Sequence, residues 1–176
     1  MPKIMLEQAV ENIYKDAHQL IVDGASWLSI GSGCECYVFY SKDRPNVVLK
    51  IYRYRFNFET ILAIAQAQEI AYDWGIGPEV LSDIIRFEKN HDTYFGYLSE
   101  QVRIFENCSA WEDELKDFNI RKRALSGAMD AVFDINHWDL HHQNMGFTKD
   151  GNLVCIDFGL GTSRDQRIRT CKRKEN

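Results

Sequence analysis

The chain has 176 residues, of which 45% are hydrophobic and 27% charged, with a formal net charge of -5. That length predicts one domain with a real core or two small lobes sharing a cleft, rather than a second independent domain. The composition is that of an ordinary globular protein rather than a disordered or fibrous one, and the acidic balance disfavours nonspecific nucleic-acid binding, because no net positive charge displaces counterions from a phosphate backbone.

Charge is uneven along the chain. Residues 164–176 hold six basic and two acidic side chains, so the remainder carries about -9; such a basic tail is ordinarily solvated. The five cysteines, Cys34, Cys36, Cys108, Cys155 and Cys171, are odd in number and form no paired C-x-x-C knuckles. They read as reduced thiols of a cytoplasmic protein. The N-terminus has no apolar core of signal-peptide length, and no stretch approaches the roughly 20 apolar residues of a membrane span.

In chain order, Met5, Leu6, Ala9, Val10, Ile13, Ala17, Leu20 and Ile21 recur at helical spacing before Gly24. They predict an amphipathic helix over 4–22 within an N-terminal segment 1–24. Trp27 to Ile30, Cys36 to Tyr40 and Val47 to Tyr52 are rich in β-branched and aromatic residues, and are separated by a glycine turn and by Lys42-Asp43-Arg44-Pro45-Asn46. They predict an antiparallel meander.

A helix over 58–74 follows, stopped by Gly75 and Gly77-Pro78. Val80 to Phe87 and Thr93 to Val102 read as a hairpin. Residues 119–135 form the last long helix, with Ile120, Ala124, Leu125, Ala128, Val132 and Phe133 on its apolar face. Asn144 to Phe147 and Leu153 to Ile156 make a small hairpin around Lys149-Asp150-Gly151-Asn152. The order gives an α+β fold.

Several short stretches carry chemistry. "IGSGCECYVFY" places Gly31 and Gly33 between two strands, where bare backbone N–H groups can turn toward a phosphate. Two glycines are also what an ordinary hairpin turn uses. Lys50 sits in the apolar run "VVLKIY" and, taken alone, reads as an outward-facing strand lysine. Glu69, on the 58–74 helix, reads alone as a solvated position; if that helix packs on the sheet, the two could form an ion pair.

"HWDLHHQN", residues 137–144, holds three histidines, Asp139 and Asn144. "CIDFG" ends an apolar strand in Asp157, an oxygen donor suited to a hard cation. A zinc cluster of His137, His141, His142 and Asp139 is one reading of the loop. It leaves Lys50, Glu69 and Asp157 without a role.

Together, the glycine-rich turn, strand lysine, helix glutamate, H-x-D-L-x-x-x-N loop and D-F-G resemble, in order and spacing, the protein-kinase signature set. Lys50 and Glu69 are 19 residues apart, Asp139 and Asn144 are 5 apart, and Asp139 and Asp157 are 18 apart. The chain is similar to minimal, atypical members of the protein-kinase-like superfamily. It resembles RIO-type kinases and the short serine/threonine protein kinases of T7-like phages, and a phage origin would place the protein in the host cytoplasm.

The resemblance implies a two-lobed fold. An antiparallel β-sheet N-lobe would span 25–102, a reduced helical C-lobe 103–162, and a basic tail 163–176. It implies ATP and Mg2+ as cofactors, with Gly31 and Gly33 over the phosphates and Lys50 on the α/β-phosphates, oriented by Glu69. Asp139 would orient the nucleophilic hydroxyl. Asn144 and Asp157 would hold magnesium, His137 would be structural, and the backbone from Glu100 to Val102 would meet the adenine ring. The acceptor would be a protein substrate or the chain itself.

The sequence departs from that family at defined points. Cys36 replaces the third loop glycine, and Glu35 puts negative charge where phosphates would lie. His141 replaces the usual lysine, giving a loop similar to those of aminoglycoside and choline kinases. The 17 residues after Gly159 are too few for a full activation segment and large helical lobe. These departures keep two alternatives open, a small-molecule kinase and a pseudokinase acting by contact. A homo-oligomer completing the reduced lobe would leave an exposed apolar patch on the 119–135 helix.

Overall fold

The computed structural model describes residues 5–6, 19–22, 25–32, 35–89, 91–104, 112–133 and 140–158. Among these the fold is α+β. The elements in chain order are β1 (Met5–Leu6), β2 (Gln19–Val22), β3 (Ala25–Ser32), β4 (Cys36–Ser41), β5 (Arg44–Tyr52), α1 (Phe58–Asp73), β6 (Ile85–Lys89), β7 (Asp92–Glu100), β8 (Arg103–Ile104), α2 (Glu112–Phe133), a 3-10 turn (His142–Asn144), β9 (Met145–Phe147) and β10 (Leu153–Cys155). No described helix is long and apolar enough to cross a membrane.

The chain divides into two compact units. The first comprises Met1–Ala65 and Val80–Gln101, the second Gln66–Glu79 and Val102–Asn176, so the division falls within α1. The first unit is built on a seven-stranded sheet in the order β1-β6-β7-β5-β4-β3-β2, antiparallel except where β1 runs parallel to β6.

Strand β5 is central, and its residues from Val48 to Tyr52 are all buried. Leu49 and Ile51 join Trp27, Phe39, Ile85, Phe87 and Tyr94 in one apolar cluster. By strand alternation Lys50 and Tyr52 take the opposite face. Each large apolar side chain buried this way contributes roughly 1.5–3 kcal/mol.

The helix expected over 4–22 is overturned where the chain is described, since Met5–Leu6 and Gln19–Val22 are strands. The segment QLIV fits either period. Pairing decides it, because β2 hydrogen-bonds along β3 and satisfies backbone groups that would otherwise face outward at the sheet edge. The turn expected over 42–46 is also shorter than its composition suggests. Only Lys42 and Asp43 turn, Asp43 N–H donates to Ser41 Oγ at 3.2 Å, and β5 already begins at Arg44.

Asn57 caps α1, its side-chain oxygen accepting from Thr60 N–H at 3.0 Å. The helix ends at Asp73 and the chain turns at Gly75, whose φ of +71° suits glycine, while Ile76 N–H returns to the Ala71 carbonyl at 2.9 Å. Phe58, in the first turn, packs edge-on against Phe95 of β7, with ring centroids 5.8 Å apart. That contact lies on the same face of β7 as Tyr97.

In the second unit α2 packs against β10 of a three-stranded antiparallel sheet, β10-β9-β8. The helix begins seven residues before the expected position. Its buried stripe is Phe118, Leu125, Met129, Val132 and Phe133. Ile120, expected on that face, is 66% exposed. It lies about 160° around the helix from Phe118 at 100° per residue, so adding Phe118 to the packed set turns Ile120 outward.

Candidate functional site

The first unit carries the glycine turn and the strand lysine. Gly31 is exposed near the end of β3, with nothing within 4 Å of where a Cβ would stand. Gly33 lies outside the described residues. Beyond the turn, the Glu35 carbonyl accepts from Arg53 N–H at 3.0 Å, which ties the root of the turn to the end of β5. Arg53 lies over the Tyr37 ring, 4.7 Å from its centroid, and donates from Nη1 to the Tyr37 hydroxyl at 3.0 Å.

Lys50 is only 8% exposed. The outward-facing reading that its sequence context favours is therefore corrected: a lysine on a central strand has neighbours on both sides, and this one lies on a covered face. It sits directly across from Tyr97 in the β5–β7 register, with Nζ 5.7 Å from the centre of the Tyr97 ring. Tyr97 stacks on Tyr52 at 6.0 Å, and their hydroxyls are 3.2 Å apart. Gly96 precedes Tyr97, and a Cβ there would fall 2.2 Å from the Lys50 carbonyl oxygen. Only glycine lets β7 approach β5 this closely.

At the end of β7, Glu100 pairs with Val47, and Gln101 N–H is taken by the Asn46 carbonyl at 2.8 Å. Of the segment expected to meet an adenine ring, Gln101 thus has its donor engaged within the protein. Val102 belongs to the second unit, where its Cγ2 lies 2.6 Å from the Cβ position that Gly146 leaves empty.

In the second unit, Glu69 is exposed on α1 and its neighbour Gln68 is buried, donating from Nε2 to the Pro78 carbonyl at 2.9 Å. His137 and Asp139 lie outside the described residues. His141 Nδ1 accepts from Gln143 N–H at 3.2 Å and its carbonyl from Asn144 N–H at 2.9 Å, which winds residues 142–144 into the 3-10 turn. An Nδ1 accepting this bond is in use within the loop. His142 is exposed, its ring 6.1 Å from that of His141.

The turn is joined to the end of β10. Ile156 N–H donates to the Asn144 carbonyl at 3.0 Å, so Asp157 follows immediately after the residue bonded to Asn144. Asp157 is exposed, while Phe158 is buried, packed on Phe133 with centroids 6.3 Å apart. Behind it, Cys155 N–H donates to the Ile76 carbonyl at 2.9 Å, and Cys155 Sγ donates to the Asp157 carbonyl at 3.3 Å. A Cβ on Gly77 would stand 3.0 Å from the Phe158 ring. The aspartate is held through its backbone carbonyl and its buried neighbour, and the residue itself lies at the exposed surface.

Two hard oxygen donors, the Asn144 amide oxygen and the Asp157 carboxylate, thus stem from backbone positions joined through Ile156. That donor chemistry fits magnesium. The sequence reading missed the Tyr52–Tyr97 pair, whose signal lay in the register rather than in any motif. It also missed the Ile76–Cys155 bond, which is made by backbone and leaves no side-chain pattern.

No protein-family model matches the chain, and no curated protein matches it.

Proposed function

We propose that the chain is an ATP- and magnesium-dependent phosphotransferase of a minimal, protein-kinase-like, two-lobed kind, acting on serine or threonine hydroxyls of a protein substrate or of itself. The observation that carries this reading is the Ile156–Asn144 bond, which joins the backbones bearing the two oxygen donors of the D-L-x-x-x-N and D-F-G stretches.

In this reading Lys50 offsets negative charge on the nucleotide phosphates from a buried, fixed position, and the glycine turn covers them with backbone N–H groups. Asn144 and Asp157 would hold magnesium, which when bound neutralises charge on the transferring phosphoryl group. Asp139 orients the acceptor hydroxyl and takes up its proton.

The test is incubation of the purified protein with γ-labelled ATP and magnesium, alone and with cell extract, beside Asp139→Ala. Label on protein that disappears in the variant supports the reading. Label on a small metabolite alone points to a small-molecule kinase. The absence of both label and ATP binding overturns the enzyme.

A pseudokinase acting by contact is the second reading. It is favoured by the exposed position of Glu69 and by Glu35 at the root of the glycine turn. It requires that the biological effect survive Asp139→Ala and Asp157→Ala together.

A further inference from the structure

We infer that Tyr97 is the positioning residue for the Lys50 ammonium, and that Tyr52 fixes the Tyr97 ring for that task. The inference rests on the proposed role of Lys50 at the nucleotide phosphates.

A lysine side chain has four rotatable bonds, and ordering it costs conformational entropy. A group that must meet a phosphate reproducibly gains from having that order imposed before the nucleotide arrives. On this sheet the order comes from an aromatic column in the first unit. Phe56 meets Tyr52 edge-on at 6.2 Å and 87°. Tyr52 stacks on Tyr97 at 6.0 Å and 25°, and the two phenol oxygens lie 3.2 Å apart. The stacking of Tyr52 restricts how the Tyr97 ring can tilt.

Lys50 Nζ lies 5.7 Å from the Tyr97 centroid, within the range where the negative face of a ring attracts a cation. Tyr97 is 0% exposed and Lys50 8% exposed, so this attraction acts with little competing water. Their backbones are locked in register, because Lys50 and Tyr97 are direct cross-strand partners and Gly96 admits no side chain against the Lys50 carbonyl. Tyr97 is assigned no contact with substrate or reacting atoms. It acts through Lys50.

The test uses the full chain and five proteins: wild type, Tyr97→Phe, Tyr97→Met, Tyr52→Phe and, as the reference for loss of the ammonium, Lys50→Ala. Tyr97→Phe keeps the ring and removes the hydroxyl, whereas Tyr97→Met keeps most of the volume and removes the ring. Thermal unfolding establishes that each is folded. Lys50 is then acetylated with acetic anhydride at fixed pH, its rate is read by peptide mass mapping, and KM for ATP and kcat are measured separately.

The expected result is a rise in Lys50 acetylation in Tyr97→Met of about 3- to 10-fold, the range a partly desolvated cation–π contact implies. KM for ATP rises by a similar factor and kcat changes less. Tyr97→Phe and Tyr52→Phe should stay within about twofold of wild type on both readouts, since the ring face remains. Acetylation of folded Tyr97→Met at the wild-type rate overturns the inference. Should Tyr97→Met not fold, the two phenylalanine variants decide it: loss of ATP affinity in either, equal to that of Lys50→Ala, assigns the effect to the hydroxyls and overturns the ring's role. A wild-type chain that neither binds ATP nor transfers phosphate refutes the phosphotransferase reading, and the acetylation comparison still reports whether Tyr97 holds Lys50.

Discussion

The carbonyl of Asn144 accepts the backbone N–H of Ile156 at 3.0 Å, and through this bond the end of a 3-10 turn is fixed to the end of β10. Because the bond is made by backbone, replacing the Asn144 side chain leaves it in place. Asn144→Ala and Asp157→Ala should therefore remain folded and, on the proposed function, lower phosphoryl transfer by about 100-fold or more, the scale of removing one preorganised electrostatic contact. Calorimetric titration with ATP, with and without magnesium, is the companion measurement. In Asp157→Ala, magnesium should no longer strengthen nucleotide binding, and an unaltered magnesium effect would remove Asp157 from the site.

Gly96 and Gly146 make a second prediction because their neighbours differ in kind. A Cβ on Gly96 would meet the Lys50 backbone carbonyl at 2.2 Å, and neither strand can yield without loss of pairing. A Cβ on Gly146 would meet chiefly the Val102 side chain at 2.6 Å, with the Arg103 carbonyl at 3.1 Å. Gly146→Ala should cost about 1–3 kcal/mol, the scale of an overpacked core position. Gly96→Ala should cost more and deplete soluble protein. Urea unfolding of the two variants gives the order, and the reverse order would contradict the close β5–β7 approach.

For α2, Leu125→Ala should destabilise by about 2–5 kcal/mol, because Leu125 lies within the buried stripe. Ile120→Ala should change stability by no more than about 0.5 kcal/mol, since its side chain is already in water. Paired urea titrations test this directly. Comparable losses at both positions would mean that Ile120 is covered by a partner in solution, as the homo-oligomer expectation requires.

Asn57→Ala should cost about 1 kcal/mol by leaving the Thr60 N–H without its side-chain acceptor, while Asn57→Asp should be nearly neutral because a carboxylate caps as well. At the other end of α1, Gly75→Ala should cost about 1–2 kcal/mol, because φ of +71° places a Cβ near the following carbonyl. Melting temperatures of the three variants, compared with wild type, check both ends of the helix.

Much of the fold was legible in the sequence because its signals are local. The strand runs around Phe39, Leu49 and Tyr97, the Gly75 stop and the Gly151 turn depend on residues within a few positions of each other. The conformational preferences of glycine, β-branched and aromatic residues do not wait for tertiary contacts. The spacing of Lys50, Glu69, Asp139, Asn144 and Asp157 was likewise visible, and with it the functional reading now proposed.

Tertiary structure decided what depends on a neighbour distant in sequence. QLIV at 19–22 satisfies a helical or an extended pattern, and the open side of β3 made it a strand. Ile120 belongs to the apolar face by composition, and the packing of Phe118 turned it to solvent. Lys50 looked outward in isolation, but the order β7-β5-β4 placed it on a central strand, where the β5–β7 register set it over Tyr97. Sequence determines which side chains alternate along a strand; only the pairing of strands determines what each one faces.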